Sequence, residues 1–176
     1  MRTWVLRVVL VLVVAVVALL GAGILLPREH VASSGVTLRQ PPESVWAVVR
    51  DLGGVPRWWP EVATSQAVTD SAGREMWRQQ VGGFPMTFVV TEAVAPRRLV
   101  TTIDAPPGAA FGGTWTYDLA PAGGGTRVIV TEAGWIANPL YRVMANLMGL
   151  HSTLDGYLVA LAARFGETVA PEHLER

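Results

Sequence analysis

From Val8 to Leu26 the chain reads VVLVLVVAVVALLGAGILL, nineteen residues with no charge and no polar stripe. As a helix this run is about 28 Å long at ~1.5 Å per residue, close to the ~30 Å hydrocarbon thickness of a bilayer. A surface helix of a soluble domain carries a polar face; this one is apolar all round. Residues 1–26 are therefore predicted to form an N-terminal transmembrane anchor, followed by a linker at 27–34, one domain over 35–168 and a tail at 169–176. A cleaved signal peptide is the alternative, because Arg2 and Arg7 give a basic start and Gly21-Ala22-Gly23 offers small residues to a peptidase. The run continues through Ile24-Leu25-Leu26, which suits an uncleaved anchor better.

Beyond the linker, Gly35–Gln40 alternates weakly, as an edge strand does. Pro41-Pro42-Glu43-Ser44 opens a short helix with Val45, Trp46, Val48, Val49 and Leu52 on its apolar face, and Gly53-Gly54 ends it. Val55–Pro60 is a proline-bounded turn or short helix. The period then changes to two. Val62–Thr69, Arg74–Val81, Met86–Val94, Leu99–Ile103, Thr114–Leu119 and Arg127–Ile136 are strand-like, divided by glycine- and proline-rich punctuation. Links this short predict antiparallel hairpins. Last comes a helix capped by Asn138 and Pro139. Its stripe runs Leu140, Met144, Leu147, His151, Leu154, Leu158, Leu161, Phe165 and predicts one continuous helix stopped by Gly166. A stripe that long is buried by laying it across the concave face of a curved seven-stranded sheet, an α+β arrangement.

Charge narrows the function classes. The two arginines before the apolar run have no acid among them, whereas Arg28 and Arg39 behind it are diluted by Glu29. This asymmetry leans toward a cytoplasmic N-terminus and an extracytoplasmic domain at the cell membrane. Residues 27–176 hold 12 Arg, no Lys and 14 acids, so no basic patch suggests nucleic acid. There is no cysteine, hence no disulfide and no cysteine-linked lipid. Six of the seven Trp lie beyond residues 1–26, ample for a core and an apolar cavity.

Taken in order, several segments resemble the START-like superfamily, also called SRPBCC or polyketide cyclase/dehydrase-like. They are Pro41–Trp46 with Asp51, Pro56–Pro60, Val90–Glu92 through Pro96–Val100, Phe111–Tyr117, Thr126–Val128 with Thr131-Glu132 and Gly134, and Asn138-Pro139. The resemblance covers roughly residues 34–168 and implies the helix-grip fold, a curved antiparallel sheet gripping a long C-terminal helix. It does not choose among the carriers, cyclases and receptors that share this fold.

No strong catalytic signature is present. His30, His151 and His173 are far apart in sequence, so no metal-ligand spacing exists, and no nucleophile elbow or phosphate loop appears. No cofactor and no metal is predicted. The candidates are polar or aromatic groups facing a cavity. Glu132 shares a strand face with Val128 and Val130 and is predicted to point inward, as an acid or base, or else as a member of a structural ion pair. His151 lies on the helix stripe, four residues before Asp155, with which it pairs in the plainer reading. Trp115 and Tyr117 serve as core or as cavity wall. One of Trp58 and Trp59 is predicted core and the other a lip. Met144, Leu147 and Met148, with Phe111 at the tip of an Ala105–Gly113 gate, complete the ligand-binding set with Val130.

Three readings compete: a membrane-tethered domain binding a small hydrophobic molecule such as a lipid, isoprenoid or polyaromatic; a cyclase or dehydratase using Glu132, His151 or Tyr117; and an interaction module with a packed interior.

Overall fold

A computed structural model describes residues 2–175. Helix α1 spans Arg2–Leu25, and its side chains from Trp4 onward are almost all exposed, apart from the buried Gly23. It is long and apolar enough to cross a membrane.

Eight strands follow: β1 Glu29–Leu38, β2 Val62–Thr69, β3 Glu75–Val81, β4 Phe84–Val94, β5 Arg98–Ile103, β6 Phe111–Ala122, β7 Gly125–Ile136 and β8 Glu172–His173. They form one antiparallel sheet in the order β2-β3-β4-β5-β6-β7-β1-β8. Helix α2 (Pro42–Arg50) starts on its proline as predicted, and a 3-10 turn over Leu52–Arg57 follows. The six period-two runs all become strands. The β6–β7 link shrinks to Gly123-Gly124, both at positive φ (57° and 81°), which suits a tight hairpin.

Three expectations are corrected. The predicted linker at 27–34 is mostly strand, because β1 begins at Glu29 and pairs residue by residue with β7 from Trp135 onward. Its low hydropathy misleads, since Ser33 and Ser34 are buried by hydrogen bonding to Thr131 and Asp155. The tail at 169–176 supplies an eighth strand, paired to Ser34 and Gly35. Finally, the C-terminal helix is two helices, α3 Pro139–Met148 and α4 Ser152–Arg164. Gly149 takes φ +84°, a conformation that ends a helix at low cost only for glycine.

The break divides the stripe. Leu154, Leu158 and Leu161 of α4 are fully buried against the sheet with Val36, Val128 and Val130. Leu140, Met144 and Leu147 of α3 are instead exposed. Antiparallel pairing gathers the starts of β1, β4 and β6 and the ends of β3, β5 and β7 at one end of the sheet. Only Leu26–Arg28 separate α1 from β1. This end therefore lies within about 14 Å of α1, at ~3.3–3.6 Å per residue.

Candidate functional site

At that end a groove of about 350 Å³ opens between α3 and the sheet. That is the space about a dozen waters fill at ~30 Å³ each. Phe84, Met86 and Ile103 form one wall and Phe111, Trp135 and Ile136 another. Tyr141, Met144 and Met148 of α3 close the side. Gly112 of β6 is among the residues that line the groove. Gly113 pairs with Gly134 across β6–β7, in register between the Phe111–Ile136 and Trp115–Glu132 pairs. A Cβ on Gly134 would lie 2.9 Å from the His30 ring, so the ring occupies room that only glycine leaves.

Two polar groups stand in this apolar surround. His30 Nε2 is 3.5 Å from Glu132 Oε1, with side chains 14% and 26% exposed. Both line the groove. The inward expectation for Glu132 agrees with this placement, and its partner is a histidine from the segment read as linker. Farther in, the interior is filled. Trp58, Trp59, Trp115 and Tyr117 all pack around Tyr157, with ring centroids 5.1–6.0 Å from it. Burial first, and the Glu132 charge to a smaller degree, hold the Tyr117 hydroxyl well above the ordinary tyrosine range, against a hydrogen bond with Thr101. Burial raises Tyr157 likewise.

Of the predicted ligand set, Phe111, Glu132, Met144 and Met148 line the groove. Trp115 and Tyr117 belong instead to the aromatic core, and Val130 is fully buried in it. Trp58 is no lip, since it packs edge-on against Tyr157. Leu147 is 81% exposed and points away from the groove, because α3 turns its opposite side to the sheet. His151 also lies elsewhere. Ser34 Oγ donates to Asp155 Oδ1 at 2.7 Å and sits 3.2 Å from His151 Nδ1. His173 Nε2 is 2.8 Å from the other Asp155 oxygen, and its ring stacks on His151 at 3.9 Å. His151 therefore meets Asp155 through Ser34 and helps to fasten the tail. Gly112 and Gly113 are not hinges of a gate but paired strand residues. The remaining loop is tied at its two ends by Asp104 N–H to Thr87 and Ala137 N–H to Ala110.

One structural joint is not legible in the hydropathy pattern. Arg142, the only charge on α3, is 7% exposed. Its guanidinium donates to the Leu26 carbonyl and to the Ala137 carbonyl, each at 3.0 Å. It thus occupies the C-terminal end of α1, where unpaired carbonyls and the helix dipole both favour a cation. A lone arginine in an otherwise apolar helix was the available signal. Beside it, a Cβ on Gly23 would strike the Pro139 carbonyl, so α1 and α3 touch backbone to backbone.

A second depression of about 430 Å³ lies on the outer sheet face. Its Arg98 is already paired to Asp118 at 2.6 Å and Glu92 at 3.3 Å. Among the described residues no cluster of three or more His, Cys, Asp or Glu is arranged to hold a metal ion.

No curated protein sequence matches the chain at a significant level. Among solved structures it is similar to a START superfamily protein from Mycobacterium smegmatis, with 20% identity over 77% of this chain and 96% of that one, at TM-score 0.59. A Thermobifida fusca protein solved in solution has 21% identity over 77% and 93% of the two chains, at TM-score 0.58. The di-domain aromatase/cyclase StfQ of the steffimycin biosynthetic pathway has 11% identity, at TM-score 0.62. There the likeness covers 78% of this chain but 52% of that one. These likenesses establish the fold. The model of the family described as polyketide cyclase / dehydrase and lipid transport matches residues 29–166, from the first residue of β1 to just past the end of α4. The chain belongs to that family, and its domain is START-like.

Proposed function

We propose that this chain is a membrane-tethered binding protein for a small amphiphile, with the ligand's apolar body in the groove and its polar end at His30 and Glu132. The observation that carries this reading is the groove's position: an apolar cavity with one polar pair, at the end of the sheet from which α1 leaves. A ligand that partitions into a bilayer is met where it is concentrated, and the tether keeps the site there. The filled aromatic interior confines the ligand's apolar body to the groove of about 350 Å³.

The anchor is read as uncleaved. Gly23 is packed under Pro139 and the Leu26 carbonyl is held by Arg142, so the folded domain grips the residues a signal peptidase would sever. Arg2 and Arg7, ahead of the apolar run with no acid among them, support a cytoplasmic N-terminus and a domain outside. Carbonate-washed membranes retain the full-length mass on this reading. A chain beginning near Ile24 in the soluble fraction refutes it.

The binding test uses the full chain in nanodiscs and displacement of a solvatochromic fluorescent fatty acid. Decanol competes better than decane, because only the alcohol reaches the polar pair. Absence of saturable displacement by either refutes the binding reading. The His30–Glu132 pair also supports an acid–base enzyme as second reading, and Glu132→Gln then lowers turnover by ~10²-fold or more with affinity kept.

A further inference from the structure

Helix α3 has two faces with different neighbours. One carries Tyr141, Met144 and Met148 to the groove, and Arg142 to the end of α1. The other is open. Leu140 is 41% exposed, Met144 54%, Leu147 81% and Met148 69%. The helix has no exposed charge to keep such a face in water, since its single arginine is turned against α1. A helix this apolar outside, and not covered by protein, is either a liability or an interface.

Its occupant is fixed by what it adjoins. Pro139 opens α3 beside Gly23, which lies in the last turn of the apolar helix α1. Backbone contact at that point sets the start of α3 at the depth where α1 leaves the hydrocarbon. The Arg142 guanidinium fastens the two helices through the Leu26 carbonyl, so α3 cannot swing away without breaking that hydrogen bond. Phe84, 58% exposed at the tip of the β3–β4 hairpin, lies on the rim of the same groove.

We propose that the outer face of α3 is an interfacial membrane helix: it lies in the headgroup–acyl boundary beside α1, and the partner it fits is the bilayer itself. This rests on the tethered-binder reading and deepens it. Met144 and Met148 are both exposed and both line the groove, so α3 stands between the bilayer and the cavity. The groove then exchanges its ligand sideways with the leaflet through a wall one helix thick. Gly149, at φ +84°, is the joint at which that wall ends, while α4 beyond it stays buried.

The chain has no cysteine, so single cysteines can be placed without background. Leu147→Cys and Met148→Cys, each labelled with an environment-sensitive fluorophore, are reconstituted as full-length protein into phosphatidylcholine vesicles. Ala72→Cys, in the β2–β3 turn at the opposite end of the sheet, is the reference. Doxyl groups high on the lipid acyl chains are expected to remove most of the emission at 147 and 148 and little at 72. Equal, weak quenching at all three positions overturns the proposal. So does a disulfide joining two copies of the unlabelled Leu147→Cys variant without lipid quenching of the labelled one, which means that a second chain covers the face. Carbonate extraction of the same vesicles separates the failures. Protein that resists extraction but is unquenched removes only this inference, whereas protein that is extracted removes the tether as well.

Discussion

Replacing Glu132 by Gln separates the roles open to the groove's polar pair. The substitution keeps shape and removes one charge. Its structural cost follows from the geometry: a single contact at 3.5 Å, the outer limit of a hydrogen bond, between partly exposed side chains. Such a pair contributes about 1 kcal/mol or less. For a domain of this size that is a fall in melting temperature of ~2–4 °C. The binding cost is different in kind. A ligand hydroxyl donating to a carboxylate gains ~1.5–3 kcal/mol, and to the neutral amide oxygen ~0.5–1.5. The difference of about 1–1.5 kcal/mol weakens binding roughly five- to tenfold. Because only the polar contact changes, decanol should lose this factor and decane should lose nothing. The assay is paired displacement titration on wild type and variant in nanodiscs, with a thermal melt of each. Equal weakening of both competitors would mean that the groove itself had deformed. A melt lowered by well over ~4 °C with both affinities intact would make Glu132 a structural ion-pair member and refute the reasoning.

Three further outcomes follow from the same geometry. Gly134→Ala puts a methyl 2.9 Å from the His30 ring, so the ring must leave its seat; decanol affinity should fall toward that of decane, and a variant that binds decanol as tightly as wild type would contradict this. Leu158→Ala, at a fully buried position under the sheet, should cost ~2–5 kcal/mol in chemical denaturation and leave the groove's selectivity unchanged in the folded protein. Tyr157 is buried with its hydroxyl pushed well above the ordinary value near 10, so the unfolded chain releases its proton first as pH rises. Stability from this group is present below about pH 10 and lost above it, and Tyr157→Phe should flatten the alkaline limb of a stability-versus-pH curve.

Much of the fold was legible because period-two runs between glycine and proline punctuation determine hairpins one after another. The strands from Val62 to Ile136 came out with shifts of only a few residues at their ends. The segment at Glu29–Ser34 was not legible, since its burial rests on specific hydrogen bonds rather than on hydropathy. The helix break was signalled by Gly149 but overridden by a seven-residue stripe that fits a continuous helix equally well. Periodicity reports which residues share a face; it does not say what the face meets. Leu147 and Leu154 have the same place in the pattern, yet one is 81% exposed and the other fully buried. Phe111, Met144 and Met148 could be named for the site and Trp115 and Tyr117 misassigned to it for the same reason: aromatic and flexible apolar side chains serve core and cavity alike.

The split of the last helix also separates the residues that hold the core from those that line the groove. Helix α4 buries Leu154, Leu158 and Leu161 and packs Tyr157 among the aromatic rings, so the grip on the sheet is complete without α3. Helix α3 adds little to that core; its fixed points are the Asn138 cap, where Leu140 N–H donates to the side chain at 2.9 Å, and the Arg142 joint to α1. A continuous helix would have pressed Leu140, Met144 and Leu147 onto the sheet and closed the groove that α3 now borders. Breaking it at Gly149 leaves that space open and hands the first ten residues to the end of α1. Substitutions along α4 should therefore act on the melt, and substitutions along α3 on ligand exchange with the bilayer, with little crossing between the two because the packed sets share no core residue.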